Sequence, residues 1–337
     1  MVIAVDAMGG DLYPKIPVLG AIKAVNEKQI QVVLVGDEPS IKKELENCKY
    51  DAKLVDIVHA TQVIDMDENV ASALRSKKDS SMRVCYNLHR DGVVQGVVSA
   101  GHSGAMLAIG KFVLKTIKGI DRPCISAMLP TLREDDRVLL VDAGANMDCT
   151  PEHLLQFAIL GDVYMEHIHR KENPRIGLLN VGAEEGKGDE RSKKAYELLK
   201  KCPLNFVGNI EGKEFFNGDV EIVVTDGFAG NILLKSVQGA ANFVKEIISK
   251  EIKSSQIAKI GAVFLNPVFK SVKKKTNYAE YGGAPLLGLR GNGIVCHGKS
   301  NQEALLFGIN FANWAAEAHL VERMEEKLVE YKEYLNS

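Results

Sequence analysis

The stretch Arg137–Asn146 reads RVLLVDAGAN, and it combines the two features that decide the fold assignment. An aliphatic, β-branched run ends in a turn of small and polar residues, after which a helical pattern begins. Similar strand-like runs recur along the chain, at Val2–Asp6, Gln31–Gly36, Val93–Ser99, Arg175–Asn180 and Val220–Thr225. Helical patterns lie between such runs, at Pro14–Glu27, Ser103–Lys118, Pro151–Arg170 and Asp189–Lys201. This alternation predicts βαβ units and a largely parallel sheet in an α/β protein.

The amino-acid composition limits which classes of function are possible. The 337 residues are 46% hydrophobic and 26% charged, which suits a soluble protein with a sizeable core. The net charge of −2 gives no basic field for nucleic acid. No apolar run is long enough for a transmembrane helix, and the start does not resemble a signal peptide, so we expect a cytoplasmic protein. No linker divides the chain, which predicts a single α/β unit over residues 1–337.

Cysteine and nucleotide motifs argue against a bound cofactor. The six cysteines include no C-x-x-C pair, which excludes the usual zinc spacing and a dense disulfide framework. The stretch Gly182–Gly188 superficially resembles a phosphate loop, but its glycine spacing is one residue short and Gly188 replaces the Ser or Thr that would hold magnesium. We therefore expect no metal site and no cofactor.

Glycine-rich polar turns follow four of the predicted strands, at Asp6–Asp11, Ser99–Gly104, Asp142–Asn146 and Thr225–Asn231. Ligands of parallel sheets bind at the carboxyl ends of strands, and helix N-termini bind anions. We expect the four turns to converge on one edge of one sheet. The candidate anion ligands are Ser99, Gly101, His102, Ser103, Asp226 and Gly230, although each turn also fits an ordinary helix start.

Two further side chains are candidates for chemistry. Lys187 lies between Gly186 and Gly188, where its ammonium could reach a phosphate oxygen, or where it could belong to a solvated charged loop. Asn231 follows the flexible turn Gly227–Gly230. Its carboxamide could donate to a developing oxyanion, or it could serve as a helix cap.

A basic amphipathic segment departs from the rest of the chain. Lys245–Lys275 contains eight lysines and two glutamates, a net charge of +6. Its apolar residues recur at helical spacing and Pro267 interrupts them, which predicts a protruding pair of helices within residues 238–275. Such a surface fits a membrane, an acidic partner, a core face or a dimer interface.

Taken together, these motifs resemble those of the bacterial phosphate acyltransferase (PlsX) family. The resemblance runs in order through seven stretches and nearly the whole chain: Val5–Asp11, Ser99–Ala105, Val141–Asn146, Pro151–Leu154, Glu184–Gly188, Val224–Asn231 and Tyr281–Gly288. It implies an enzyme that forms acyl phosphate from acyl-[acyl-carrier-protein] and inorganic phosphate, for bacterial phospholipid synthesis. The product would pass to a membrane glycerol-3-phosphate acyltransferase.

The resemblance also implies a fold and a set of site residues. The fold would be a layered α/β/α unit like that of isocitrate and isopropylmalate dehydrogenases, related to phosphotransacetylase, in a homodimer. Lys187 and Asn231 would be catalytic. The amphipathic region would associate peripherally with an anionic membrane, with carrier protein or with both, through Lys259, Phe264, Phe269, Lys273, Lys274 and Lys275.

Alternative functions remain open at this stage. A phosphotransacetylase-like enzyme would use acyl-coenzyme A in place of the carrier thioester. A metal- and NAD-dependent dehydrogenase would need a cluster of aspartates that the sequence does not show. A peripheral membrane adaptor would leave the glycine-rich turns unexplained. For the acyltransferase itself, Asp226 and His102 are both candidates to protonate the leaving thiolate.

Overall fold

The computed structural model describes residues 1–133, 136–276 and 283–335. Within them the strands are β1 Val2–Asp6, β2 Gln31–Gly36, β3 Val55–His59, β4 Gly96–Ser99, β5 Cys124–Pro130, β6 Arg137–Val141, β7 Ile176–Asn180, β8 Phe206–Glu211, β9 Ile222–Val224, β10 Ala284–Leu287 and β11 Asn292–Val295. The helices are α1 Lys15–Lys28, α2 Glu38–Leu45, α3 Val70–Ser76, α4 Ser81–Arg90, α5 Ser103–Leu114, α6 Pro151–His169, α7 Glu190–Lys201, α8 Gly227–Ser254, α9 Gln256–Phe264, α10 Asn266–Thr276, α11 Gln302–Glu317, α12 Leu320–Glu330 and α13 Lys332–Leu335. A 3₁₀ helix spans Ala52–Leu54.

The strands of the described residues form one sheet in the order β3-β2-β1-β4-β11-β10-β5-β6-β9-β7-β8. Seven of its ten neighbouring pairs are parallel. The predicted largely parallel sheet is therefore confirmed. The strands and helices predicted from the sequence are all present, with ends that shift by a few residues.

Three antiparallel pairs lie together in the middle of the sheet and reverse its direction. They join β11 to β10, β10 to β5, and β5 to β6. As a result β6, β7, β8 and β9 run opposite to β1, β2, β3, β4 and β11. The carboxyl ends of β1, β4 and β11 define what we call the Ser99 edge. The carboxyl ends of β6, β7 and β9 point the other way and define the Asn231 edge. Followed across the sheet, the pairing registers put Ser99 level with Leu140, one residue before β6 ends.

Helices cover both faces of the sheet, so the expected α/β/α layering is confirmed. On β6, Leu139 and Val141 point into a core shared with α1, α6, α7, α11 and α12. Val138 and Leu140 point into a second core that contains residues of α4 and α5, against which the start of α8 packs. The strict alternation along β6 reflects the two-residue period of a strand whose two faces are both buried.

The stretch from Asn301 to Leu335 forms three helices, α11, α12 and α13. Helix α11 ends at Glu317, and His319 then adopts a left-handed backbone with φ of 52°. That conformation cannot continue a right-handed helix, so the chain turns before α12 begins at Leu320. Leu320, Met324 and Leu328 return α12 to the core at helical spacing.

The basic amphipathic segment forms an extension of α8, α9 and α10 that we call the arm, residues 239–272. Helix α8 has 28 residues, a length of about 42 Å. The break expected from Pro267 lies at Leu265, and Pro267 is in the first turn of α10. A second break lies at Ser255, whose side chain caps α9, so the segment contains parts of three helices rather than the predicted pair. A first-turn proline is tolerated because its missing N–H has no partner there in any helix.

Candidate functional site

The start of α8 is packed tightly against the β6–α6 turn by glycines. Asp226 caps the helix, with its Oδ1 accepting a hydrogen bond of 2.9 Å from the Ala229 N–H. Gly227 donates its N–H to the Asn146 carbonyl at 2.7 Å. A Cβ at Gly230 would overlap the Asp142 carbonyl. Only glycines allow this approach, which brings the first turn of α8 onto the end of β6.

Asn231 lies one turn into α8, directly over the Gly144 backbone. Gly144 has φ of 138°, and a Cβ built there would come within 3.3 to 3.5 Å of the Asn231 side chain. The Asn231 carboxamide makes no hydrogen bond to any part of the chain that the structure describes. It is not the helix cap, because Asp226 holds that position. Its N–H donors are therefore available to a substrate.

A buried carboxylate fixes the turn beneath Asn231. The Asp142 carboxylate accepts backbone N–H bonds from Gly144, Ala145 and Asn146, the last at 2.7 Å. It also accepts the N–H of Ile125 from the neighbouring strand at 3.0 Å. Burial raises the pKa of Asp142, and these hydrogen bonds oppose that shift. Asp142 thus acts as a structural acceptor that holds the turn rigid.

The Lys187 loop follows β7, the neighbour of β9, so Lys187 and Asn231 lie at the same edge of the sheet. The base of this loop is held by two amides that the sequence reading did not single out. Asn180 donates to the Lys187 carbonyl at 3.1 Å, and Asn209 donates to the Glu184 carbonyl at 2.8 Å. The Lys187 side chain is 52% exposed and its Nζ makes only a long ion pair of 4.0 Å with Glu184, so its ammonium remains open to an anion.

Arg191 joins the two loops and was also missed by the sequence reading. Its Nη2 donates to Asp226 Oδ2 at 2.7 Å and lies 3.4 Å from Asp189. Asp226 and Asp189 are the caps of α8 and α7. One guanidinium therefore fixes the two helix starts that carry Asn231 and the end of the Lys187 loop. The sequence feature that could have indicated Arg191 is a charged residue in the first turn of the helix that follows the Lys187 loop.

The expectation that all four turns converge on one edge is wrong. The antiparallel pairs at the centre of the sheet make the Ser99 turn leave it in the direction opposite to the turns that carry Lys187 and Asn231. In addition, β4 and β6 are four strand spacings apart, about 19 Å. The sequence does not reveal this reversal because the two parallel halves look alike. The candidates thus separate into two groups: Ser99, Gly101, His102 and Ser103 at one edge, and Lys187, Asp226, Gly230 and Asn231 at the other.

The polar groups of the Ser99 turn are largely engaged in internal contacts. Ser99 is fully buried, donates to Asp6 at 2.6 Å and accepts the Gly101 N–H at 3.0 Å. Burial raises the pKa of Asp6. His102 Nδ1 accepts the Ala105 N–H at 3.2 Å, so the imidazole, rather than a serine, caps α5. The side chains of Ser99 and His102 therefore stabilise the turn itself.

Asp226, one of the two candidates for protonating a thiolate, is not placed to do so. The other, His102, follows β4, four strands away from β6. Asp226 accepts one hydrogen bond on each carboxylate oxygen, from Ala229 and from Arg191. An oxygen that accepts from a backbone N–H or a guanidinium has no proton to give along that direction. Within the described residues, no three His, Cys, Asp or Glu side chains form a group that could hold a metal ion.

Two solved phosphotransacetylases share this fold. A phosphotransacetylase from Streptococcus pyogenes aligns with a TM-score of 0.62 at 17% identity, covering 95% of this chain and 94% of that one. The EutD phosphotransacetylase from Staphylococcus aureus aligns with a TM-score of 0.60 at 14% identity, covering 94% of each chain. At these identities the likeness shows the fold alone, and the expected phosphotransacetylase-related fold is confirmed.

The family follows from sequence relatives of nearly the same length. Residues 1–323 match the family described as "Fatty acid synthesis protein". Proteins named phosphate acyltransferase are 47% identical over 332 residues in Geotalea uraniireducens, and 45% identical over 330 residues in Syntrophotalea carbinolica. The alignments cover 98% and 97% of this chain, and 95% and 94% of those relatives. The chain belongs to the phosphate acyltransferase family.

Proposed function

We propose that this chain is a phosphate acyltransferase that forms acyl phosphate from acyl-[acyl-carrier-protein] and inorganic phosphate at the Asn231 edge. The observation that carries the proposal is the pairing of an open ammonium with an unengaged carboxamide at the ends of neighbouring parallel strands. Lys187 supplies the ammonium and Asn231 the amide. Family membership supplies the reaction class for this pair of groups.

Phosphate needs to be held and oriented more than it needs to be activated. The dianion is already a competent nucleophile, so no covalent enzyme intermediate is required. Lys187 would attract the dianion, and the backbone N–H groups at the start of α8 would add positive potential. Arg191 offsets the charge of Asp226, which would otherwise repel the anion at that helix start. Fixing the nucleophile beside the thioester lowers the entropic part of the barrier.

The protons of the reaction balance without an acid from the protein. A phosphate oxygen forms a bond to the thioester carbonyl carbon, and a tetrahedral oxyanion appears that the Asn231 N–H can stabilise. The carbon–sulfur bond then breaks, and the thiolate leaves. Because hydrogen phosphate carries one proton and acyl phosphate carries none, the proton of the nucleophile can pass to the thiolate. This agrees with the engagement of both Asp226 oxygens.

A trapping assay tests the proposed function. The full chain is mixed with inorganic phosphate, hydroxylamine and either acyl-carrier thioester or acyl-coenzyme A. We expect phosphate-dependent release of thiol and formation of acyl hydroxamate from the carrier thioester. Stronger turnover of acyl-coenzyme A would instead favour a phosphotransacetylase-like enzyme. Thioester cleavage that does not depend on phosphate, or no cleavage with either donor, would refute the proposal.

The arm supports the finer proposals of peripheral membrane association and dimerisation. Phe264 is 80% exposed and Lys259 is also exposed, whereas Phe269 is half-buried. The side chains of Lys273, Lys274 and Lys275 lie outside the described residues, as do Tyr281 and Gly282. None of the described helices is both long enough and apolar enough to cross a bilayer. Basic residues beside exposed apolar ones suit reversible binding to anionic lipid.

The same arm offers a surface for a second copy of the chain, because Phe243, Ile247 and Ile248 on α8 are also exposed. A membrane position would bring acyl phosphate close to a membrane glycerol-3-phosphate acyltransferase. Sedimentation with anionic and neutral vesicles, together with light scattering of the free protein, tests membrane binding and the homodimer separately. Phe264→Ser should weaken the vesicle binding without changing the soluble activity.

A further inference from the structure

A second exposed aromatic lies outside the arm, on the last turns of α5. Phe112 is 51% exposed on this otherwise well-packed helix. The Arg83 guanidinium carbon lies 4.6 Å from the centre of the Phe112 ring, and Lys115 Nζ lies 5.1 Å from the same centre. The ring is therefore presented to solvent between two cations. We call Arg83, Lys111, Phe112 and Lys115 the Phe112 surface.

The cations of this surface have no anionic partner among the described residues. Across the described ranges of the chain, no carboxylate lies within ion-pair distance of Arg83, Lys111 or Lys115. Lys111 donates only to the backbone carbonyl of Asp121, at 2.9 Å. Burial and the nearby charge of Arg90 both lower the pKa of Arg83. Other surface lysines, such as Lys42 and Lys200, are paired with glutamates.

The Phe112 surface lies at the same edge of the sheet as Asn231. Helix α5 leaves the Ser99 edge, crosses the face of the sheet, and leads into β5 at the opposite edge, where Ser126 pairs with Val141. The loop between α5 and β5 is bonded to the β6–α6 turn. Asn146 Nδ2 donates to the Pro123 carbonyl at 2.9 Å, and Arg122 donates to the Asp148 carbonyl at 2.8 Å.

This loop connects the Phe112 surface to the turn on which Asn231 rests. Lys111 contacts one end of the loop through Asp121, and Asn146 contacts the other end through Pro123. A protein bound on Phe112 would therefore sit beside the rigid wall of the candidate site, at a fixed distance from it. A carrier that delivers its acyl group on a flexible arm needs a dock of this kind, near the reacting groups but outside them.

We propose that the Phe112 surface is the docking site for the acidic carrier protein, whose thioester arm reaches the Asn231 edge. The inference rests on the proposed function and names the partner surface for it. Unpaired cations match an acidic partner, and an exposed aromatic ring at their centre supplies the apolar anchor that concentrates binding energy in interfaces. The arm is then left for membrane or for a second copy of the chain.

The test compares two donors that differ only in the carrier. One is the acyl-carrier thioester and the other is the same acyl group on pantetheine alone, both followed by hydroxamate trapping. The double variant Arg83→Glu/Lys115→Glu should raise the KM for the carrier donor about tenfold and remove its salt dependence. Phe112→Ala should also raise that KM about tenfold. Turnover of the pantetheine donor should stay at the wild-type level in both.

Matched charge reversals serve as controls. Lys43→Glu, on α2 far from the candidate site, should leave the carrier KM unchanged. The docking proposal is overturned if the Phe112-surface variants leave that KM unchanged, if they impair both donors equally, or if Lys259→Glu on the arm carries the effect instead. Loss of anionic vesicle binding by the Phe112-surface variants, without a change in the KM for the carrier donor, would also overturn it. Absence of turnover in the wild type would refute the proposed function itself.

Discussion

Removal of the Asn231 side chain should separate catalysis from stability. The carboxamide makes no hydrogen bond to the described residues, so Asn231→Ala breaks no native bond. Position 231 is inside α8, where alanine is favoured over asparagine by up to about 0.7 kcal/mol. The free energy of unfolding should therefore stay equal to that of the wild type or rise slightly.

The catalytic effect of Asn231→Ala should be large. An amide donor to an oxyanion in acyl transfer is typically worth about 2.7 to 4 kcal/mol of transition-state stabilisation, a factor of 10²–10³ in kcat. The KM for phosphate should change little, because the amide faces the carbonyl oxygen rather than the anion. Asn231→Asp should be at least as slow, since it replaces N–H donors with acceptors and adds a negative charge beside the phosphate.

The measurement pairs hydroxamate trapping with urea unfolding on the same preparations. Asn313→Ala, which removes a surface amide from α11, is the matched control and should have wild-type activity. Two results would refute the reasoning. One is a kcat for Asn231→Ala within tenfold of the wild type. The other is a loss of more than about 1 kcal/mol in unfolding free energy, which would make the amide a structural group.

Substitutions at three other positions give further predictions. Lys187→Ala should lower kcat/KM for phosphate about tenfold to a hundredfold, with partial recovery in Lys187→Arg; an unchanged phosphate dependence would remove Lys187 from the site. Arg191→Met should reduce unfolding free energy by about 1.5 to 3 kcal/mol, because Asp226 is 8% exposed and loses its cation; the double variant with Asp226→Asn should recover much of the loss, and a simple sum of two losses would contradict the pairing. Burial raises the pKa of Asp162 to about 6, so its native carboxyl keeps a proton that the unfolded chain loses near pH 4. The protonated Asp162 carboxyl therefore contributes stability below pH 4, and this contribution is lost between about pH 4 and 6. Asp162→Asn should raise the free energy of unfolding by about 3 kcal/mol at pH 7.5 and by almost nothing at pH 4. Equal gains at both pH values would show that the effect does not come from the raised pKa of Asp162.

The alternation of strands and helices could be predicted because each element has a local signature. Gln31–Gly36 matches β2 residue for residue, and Pro151 opens α6 after the Thr150 cap, as first-turn proline chemistry predicts. Strand β10, in contrast, is a four-residue element with no clear period of its own. It is an antiparallel insertion, and its pairing partners are set by tertiary packing. The direction of half the sheet depends on β10 and β5, and for that reason the position of the Ser99 turn could not be predicted.

Candidate residues could be identified by type, whereas their availability could not. Ser99 ends a strand just before a glycine-rich turn, Asn231 follows such a turn, and both are chemically suited to binding an anion. In the fold, the Ser99 hydroxyl is hydrogen-bonded to Asp6 and Gly101, whereas the Asn231 carboxamide has no hydrogen-bond partner among the described residues. The difference comes from what packs against each turn. Asn180, Asn209 and Arg191 illustrate the same limit, since they act through contacts with residues distant in sequence.

The reversal in the middle of the sheet has two consequences that must hold together. The Ser99 turn leaves the sheet in the direction opposite to the Asn231 turn, and the end of α5, with Phe112, comes to the edge where Asn231 lies. In a wholly parallel sheet both helix starts would lie at one edge and the end of α5 would be on the far side, out of reach of a carrier-bound thioester. The antiparallel pairs β11–β10, β10–β5 and β5–β6 therefore do more than join two halves. They place an open cationic surface beside the pair of groups that the proposed reaction uses, at the boundary between the two halves of the fold.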